Sequence, residues 1–290
     1  MRIFITGATG FLGSYLLPLL SEHQVLCLVR SPACLPKAAN IFYVLGDLVD
    51  PDKWKIELKK FAPQWCIHLA WNGLPDYSID RCRINLDASI GLFKILAEVG
   101  IERIIVAGSC WEYGNALGTV KEDQFLSGYG VFAATKSALR LILESVMRDF
   151  AIEYRWVRIF FAYGPGQRVN SLIPQCHAAY SQGRQPEIHN PHVIQDFIYV
   201  NDVAQGIAAI TEAEIDSGVF NLGSGIPITV GYIANHVANY FKKPAFFPLL
   251  QSEIGFWADT SKTSVVTGWK ARTSIDDGIM KTLKALDHKQ

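Results

Sequence analysis

The sequence has no excess of charge of either sign: its 290 residues carry 27 Lys+Arg and 27 Asp+Glu, a net charge of zero. A nucleic-acid binder shows a basic patch or stripe, and none stands out here. No apolar run reaches the ~20 residues that a membrane-spanning helix needs. No C-x-x-C occurs: Cys27, Cys34, Cys66, Cys82, Cys110 and Cys176 are scattered. That speaks against a metal site and against the disulfide staples of short secreted chains. The histidines form no metal constellation either. There are no internal repeats, low-complexity tracts or flexible linker. The opening MRIFITGATG reads as a strand entering a turn rather than a signal peptide. Reduced, mostly buried thiols in a cytoplasmic protein are the expectation.

What the chain does have is apolar residues, half of the total. A chain of this length buries about three quarters of its unfolded surface. That suits one large α/β domain, or a nucleotide-binding half with a smaller cap. Apolar runs rich in β-branched residues occupy 2–6, 25–29, 41–44, 65–69, 103–107 and 154–159. Continuous apolar runs suit strands buried on both faces, as in a parallel sheet. Helical patterns lie between them near 11–20, 51–61, 79–99 and 132–149. Strand–helix alternation predicts an α/β fold, a Rossmann doubly wound parallel sheet, over residues 1–160. Beyond 160, Gly and Pro become frequent, as in Tyr163-Gly164-Pro165-Gly166 and Gly223-Ser224-Gly225. Helical patterns remain near 171–182, 201–211 and 230–241. Residues 161–290 are expected to form a smaller C-terminal substrate-binding lobe, with some segments returning to the sheet.

Gly7-Ala8-Thr9-Gly10-Phe11-Leu12-Gly13 follows the first strand and opens a helix. Glycines in a G-x-x-G-x-x-G turn let the backbone approach a pyrophosphate, and the free N–H groups of the helix start stabilise its charge. After a strand and within a βαβ unit, this spacing points to a dinucleotide. The end of the second strand selects which one. A site for NAD offers a carboxylate there, whereas this sequence offers Val29-Arg30-Ser31. A guanidinium suits a ribose 2′-phosphate, so NADP(H) is favoured, with NAD(H) possible. Asp47, in Gly46-Asp47-Leu48, is either a partner for the adenine amine or an ordinary turn aspartate.

Further motifs follow in order: His68-Leu69-Ala70, Ser109 with Tyr113-Gly114, Lys136, Tyr163-Gly164-Pro165-Gly166, and Asp196-Phe197-Ile198-Tyr199-Val200-Asn201-Asp202-Val203-Ala204. With the glycine turn, they resemble the extended short-chain dehydrogenase/reductase family, in its branch of nucleotide-sugar epimerases, dehydratases and reductases. The resemblance covers nearly the whole chain. It implies cofactor contacts at Gly7, Thr9, Gly10, Phe11, Leu12, Gly13, Arg30, Asp47, Leu48, Leu69, Ala70, Trp71 and Lys136. It also implies a Ser/Thr, a Tyr and a Lys at the reacting centre. Tyr and Lys stand four apart on one helix face, where the lysine charge lowers the phenol pKa and the phenol exchanges a proton with the sugar oxygen. Ser109 and Lys136 match. Four residues before Lys136, however, stands Phe132, which fills the space and moves no proton.

Several readings stay open at this point. Tyr129 could substitute, although on an α-helix it would lie about 10.5 Å from Lys136 along the axis. Gly128 and Gly130 flank it and allow an irregular helix start. Cys110, Glu112, Tyr163 or water could supply the proton instead. The chain could bind cofactor without turnover, or Phe132 could be a deliberately inactivating replacement. As to reaction, family 4,6-dehydratases carry Asp-Glu directly after the Ser/Thr position, where this chain has Cys110-Trp111. Dehydration is therefore disfavoured. The resemblance and Arg30 together favour an NADP(H)-dependent reductase (or dehydrogenase) of a nucleotide-linked 4-keto-6-deoxy sugar. The alternatives are a nucleotide-sugar epimerase and a non-catalytic NADP(H)-binding protein. Trp111, Phe161, Arg168, Asn170 and Gln195 are the expected substrate contacts. Gln195 stands where an arginine often precedes Asp-Phe-Ile-Tyr-Val, and Phe161 where an asparagine often stands. His68 is expected to be buried and hydrogen-bonded rather than catalytic. Asn85 is expected to satisfy backbone groups near the sheet. A homodimer through the helices at 79–99 and 132–149 is the expected assembly.

Overall fold

A computed structural model of the chain describes residues 1–32, 35–124, 130–247 and 254–288. In β1 (Arg2–Thr6), Ile3, Phe4 and Ile5 are wholly buried. A strand that hides consecutive side chains must be covered on both faces. The other strands are β2 (Gln24–Val29), β3 (Ile41–Leu45), β4 (Trp65–His68), β5 (Arg103–Ser109), β6 (Gly118–Val120), β7 (Glu153–Ile159), β8 (Phe161–Tyr163), β9 (Ile194–Tyr199), β10 (Gly218–Leu222), β11 (Pro227–Thr229) and β12 (Phe256–Ala258). Seven of them form one sheet in the order β10-β7-β5-β4-β1-β2-β3. The pairings β3–β2, β2–β1, β1–β4 and β4–β5 are parallel. This is the doubly wound sheet expected from the sequence, with the chain reversing its direction of travel between β1 and β4. Ligands of such sheets bind at the carboxyl ends of the strands at that switch point.

The helices are α1 (Phe11–Leu16), α2 (Lys55–Phe61), α3 (Ile79–Val99), α4 (Val131–Asp149), α5 (Leu172–Ser181), α6 (Val200–Glu212), α7 (Val230–Tyr240), α8 (Ser261–Thr267) and α9 (Ile275–Asp287). The expected helix at 11–20 is α-helical only to Leu16 and continues as a 3₁₀ turn, Leu17–Leu20. Pro18 has no N–H to extend the α ladder. The expected helix at 51–61 likewise begins as a 3₁₀ turn, Pro51–Lys53, and ends where Ala62 turns left-handed (φ 46) before Pro63. Ser78 caps α3 by accepting from the Arg81 N–H, and Gly100 (φ 77) ends it.

Two compact units divide the chain. The first comprises Met1–Gly114, Phe125–Arg158 and Ile207–Phe220; the second comprises Asn115–Gln124, Ile159–Gly206 and Asn221–Gln290. In the first, α2, α3 and α4 bury Leu58, Leu92, Phe93, Leu96, Leu139 and Leu143 against Phe4, Cys66, Ile104 and Trp156 of the sheet. Burial of each such side chain contributes about 1.5–3 kcal/mol. In the second, Tyr163, Phe197, Tyr199, Ile233, Val237, Ile279 and Leu283 form a separate core. Cys27, Cys66, Cys82 and Cys176 are free and buried, Cys110 is buried, and Cys34 lies outside the described residues. Among the described residues, no helix is long and apolar enough to cross a membrane.

Candidate active site

The glycine turn sits at the switch point, where its geometry leaves no room for side chains. Gly7 has φ +80, and a Cβ there would lie 2.8 Å from the Ala70 nitrogen and 2.9 Å from the Leu69 carbonyl carbon. The turn leaving β1 thus rests on the backbone leaving β4. A Cβ on Gly13 would lie 2.3 Å from the Gly7 oxygen and 2.6 Å from that of Ala8. Helix α1 therefore starts pressed against the turn. Its N-cap is Gly10, so no side chain satisfies the first N–H groups, and Thr9 and Gly10 are exposed. Bare backbone donors at a helix start suit an anionic pyrophosphate. Phe11 and Leu12 are half-buried beside them. The turn fits a dinucleotide: its exposed surface at Thr9 and Gly10 offers backbone N–H groups that no side chain caps.

The flanks of the turn are occupied as follows. Arg30 is exposed directly after β2. One oxygen of the Asp47 carboxylate accepts from the Val49 N–H at 3.3 Å, and its carbonyl accepts from Trp54 Nε1 at 2.9 Å. Leu48 packs against the core. Leu69 and Ala70 are half-buried, with the Ala70 N–H donating to Thr6 Oγ1 at 3.4 Å. His68 is buried and bonded at both nitrogens, Nδ1 to Thr6 Oγ1 at 2.7 Å and Nε2 to Ser89 Oγ at 3.1 Å. Since Ser89 donates to the Asn85 carbonyl at 2.7 Å, its oxygen accepts from His68 Nε2–H and Thr6 donates to Nδ1. Burial, and then the nearby Lys136 charge, lower the His68 pKa to about 3. A histidine so fixed is neutral and structural.

Ser109 closes β5 and is half-buried. Its Oγ accepts from the Trp111 N–H at 3.2 Å, so its own O–H remains a donor. Its N–H donates to Glu112 Oε1 at 2.8 Å. Glu112 is wholly buried and also accepts from Trp156 Nε1 at 2.8 Å and Arg158 Nε at 3.0 Å. Arg158 in turn reaches the Tyr113 hydroxyl at 3.0 Å. Glu112 is thus a structural anion that fixes the turn carrying Ser109. No local spacing signals this network, because Glu112 stands 44 positions from Trp156 and 46 from Arg158. Tyr163 lies in the second core, with its hydroxyl donating to the Ile275 carbonyl at 3.3 Å.

Lys136 is buried on α4, with 6% of its surface exposed. Its Nζ donates to the Ala107 carbonyl at 2.8 Å and stands 4.1 Å from the Trp71 ring centre. Burial lowers its pKa to about 8, against the opposing pull of Glu112. One turn earlier, Phe132 packs on Trp71, Tyr77 and Trp111, with centroid separations of 5.2, 5.0 and 5.6 Å. Trp71 Nε1 is buried with no partner among the described residues. Tyr129 lies outside the described residues. Tyr77 is a lone loop tyrosine, and no spacing in the sequence signals it.

The remaining expected substrate contacts belong to the second unit. Phe161 pairs with Phe197 across β8 and β9, ring centroids 6.0 Å apart. Arg168 and Asn170 are exposed in the loop before α5. Gln195 lies on β9 opposite Ile228. Beside it, buried Asp196 accepts from the N–H groups of Ser224 (2.7 Å), Gly225 (2.9 Å) and Ala258 (3.0 Å), which explains that aspartate as a loop anchor.

Comparison with known proteins agrees with this geometry. A dTDP-4-dehydro-6-deoxyglucose reductase from Escherichia coli is 27% identical, covering 98% of this chain and 97% of the relative. A dTDP-6-deoxy-L-talose 4-dehydrogenase (NAD(+)) from Aggregatibacter actinomycetemcomitans is also 27% identical, over 86% of this chain and 95% of the relative. The structure of MoeE5 in complex with UDP-glucuronic acid and NAD superposes with a TM-score of 0.86 at 26% identity, each chain fully covered. The model of the NAD dependent epimerase/dehydratase family matches residues 3–223, and the chain belongs to that family.

Proposed function

We propose that the chain is an NADP(H)-dependent nucleotide-sugar oxidoreductase that reduces a nucleotide-linked 4-keto-6-deoxy sugar, or runs the reverse reaction. The observation that carries this reading is the buried ammonium of Lys136, held by Ala107 close to the end of the strand that carries Ser109. Burying that charge costs stability and is accounted for by a ligand that needs it. The nicotinamide, when bound, supplies or takes the hydride. Ser109 Oγ–H donates to the sugar oxygen at the reacting carbon, and Lys136 holds the ribose and supports negative charge on that oxygen. The relatives named for 4-keto-6-deoxy and 6-deoxy sugars support the substrate class. Exposed Arg30, in the place of a ribose-binding carboxylate, supports NADP(H). Phe161, Arg168, Asn170 and Gln195 are assigned to sugar-nucleotide recognition, with the second unit as the substrate-binding lobe. A cytoplasmic location and a homodimer complete the proposal.

A second reading, an NAD-dependent epimerase, is favoured by the likeness to MoeE5 with its bound NAD and UDP-sugar. The test is nicotinamide oxidation with a panel of CDP-, GDP-, UDP- and dTDP-4-keto sugars, using NADPH and NADH. The expected result is turnover with one nucleotide series and a preference for NADPH that Arg30→Asp reverses. Tight cofactor binding without turnover on any sugar would refute it.

A further inference from the structure

We propose that Tyr77 is the proton donor that takes over from the tyrosine missing at position 132. This rests on the oxidoreductase reading above. Among the described residues, three rings touch Phe132, and of these Tyr77 alone carries a hydroxyl. Its ring is also 5.0 Å from that of Trp111, so it lies in van der Waals contact with the side chain that fills the expected tyrosine's place. The ring is half-buried, and its hydroxyl has no hydrogen-bond partner among the described residues.

The loop that carries Tyr77 is tied down on both sides. On one side Asn85, buried in α3, accepts from the Asn72 N–H at 2.6 Å and donates to the Asn72 carbonyl at 2.9 Å. On the other, Asp76 accepts from the Ser78 N–H at 2.9 Å and pairs with Arg81 at 3.4 Å. Cys82 Sγ donates to the Tyr77 carbonyl at 3.7 Å. A phenol on a fixed loop, with no internal partner, is pre-positioned rather than mobile. Among the described residues, Glu112 is committed to Trp156 and Arg158, Tyr113 to Arg158, Tyr163 to the Ile275 carbonyl, and His68 to Thr6 and Ser89.

In the reductive direction the Tyr77 O–H bond breaks and its proton joins the C4 carbonyl oxygen, while the carbonyl carbon receives the hydride of the reduced nicotinamide. The ketone becomes an alcohol, the nicotinamide is oxidised, and the phenolate regains a proton from water. The test compares the full-length wild type with Tyr77→Phe, Tyr129→Phe and the double variant Tyr77→Phe/Phe132→Tyr. Steady-state kinetics are combined with calorimetric Kd values for oxidised cofactor and nucleotide sugar. Tyr77→Phe is expected to lower kcat by about 10²-fold or more while both Kd values hold. The double variant is expected to recover much of the loss, because it restores a phenol four residues before Lys136. Three results would overturn the proposal: unchanged kcat in Tyr77→Phe, a loss confined to Tyr129→Phe, or a loss explained by weakened Kd. Absence of turnover in the wild type would instead remove the oxidoreductase reading, and the proposal with it.

Discussion

Phe132 and Lys136 share one face of α4 but have opposite energetic standing. Phe132 packs on Trp71, Tyr77 and Trp111 and is satisfied there. Lys136 has been taken out of water, gaining one carbonyl and the face of one indole. Its folded pKa of about 8 lies below the ordinary lysine value of 10.5. Below pH 8 both folded and unfolded chains carry the charge, and the folded one bears the full cost of burying it. Between pH 8 and 10.5 only the unfolded chain keeps the proton, so stability rises with pH and the cost fades. Lys136→Met is accordingly expected to raise the unfolding free energy by about 1 kcal/mol or more at neutral pH. The gain should shrink above pH 8, while activity is lost. Urea melts at pH 7 and pH 10 check this, and a destabilised variant at pH 7 would contradict it.

At the scale of elements, the strand–turn–helix at the start of the chain shows why part of the molecule could be read directly and part could not. β1, β2, β4 and β5 were legible because a buried parallel strand is an apolar run; β3 is an apolar run at the sheet edge with Phe42, Tyr43 and Leu45 exposed, β7 carries buried Arg155 and Arg158 within its run, and α3 was legible because its cap, its length and Gly100 agree. The glycine turn was legible because its three glycines keep a fixed local spacing after a strand, although Gly7 meets the distant backbone of Leu69 and Ala70. By contrast, β6, β8, β11 and β12 have three residues each, and the pairing of β8 and β9 is set across the chain, as Phe161 opposite Phe197 shows. Helix α9 was overlooked although Ser274 caps it and Ile279 and Leu283 repeat at helical spacing. At the site, Gly7, Gly13, Ser109 and Lys136 followed from motif spacing, whereas the Glu112–Trp156–Arg158 network and Tyr77 depend on the fold. Two glycines make a matched test of the turn. In Gly13→Ala the new Cβ meets backbone oxygens, which costs about 1–3 kcal/mol and weakens cofactor binding on the order of tenfold. On exposed Gly91 of α3 nothing lies within 4 Å of a Cβ, and Gly91→Ala is expected to stabilise the fold by about 0.5–1 kcal/mol. Thermal melts and cofactor titrations of the pair read both effects, and equal behaviour would contradict the packing argument.

At the scale of the whole molecule, α3 and α4 present apolar side chains to solvent as well as to the sheet: Ile79, Ile84, Val131 and Leu141 are all exposed. Such residues are what a two-fold helix interface would cover. The homodimer proposal predicts a sedimentation mass of two chains that falls to one in Leu141→Glu, and a wild-type mass of one chain would refute it. Net chemistry belongs to the assembled enzyme with its cofactor and sugar together. An epimerase returns its cofactor unchanged, whereas a reductase consumes it. The direct measurement is the stoichiometry of NADPH oxidised to 4-hydroxy sugar formed when the protein meets a nucleotide-linked 4-keto-6-deoxy sugar. One NADPH is expected to be consumed per alcohol produced; sugar interconversion with no net NADPH loss, or bound NADPH that is never oxidised, would contradict a reductase.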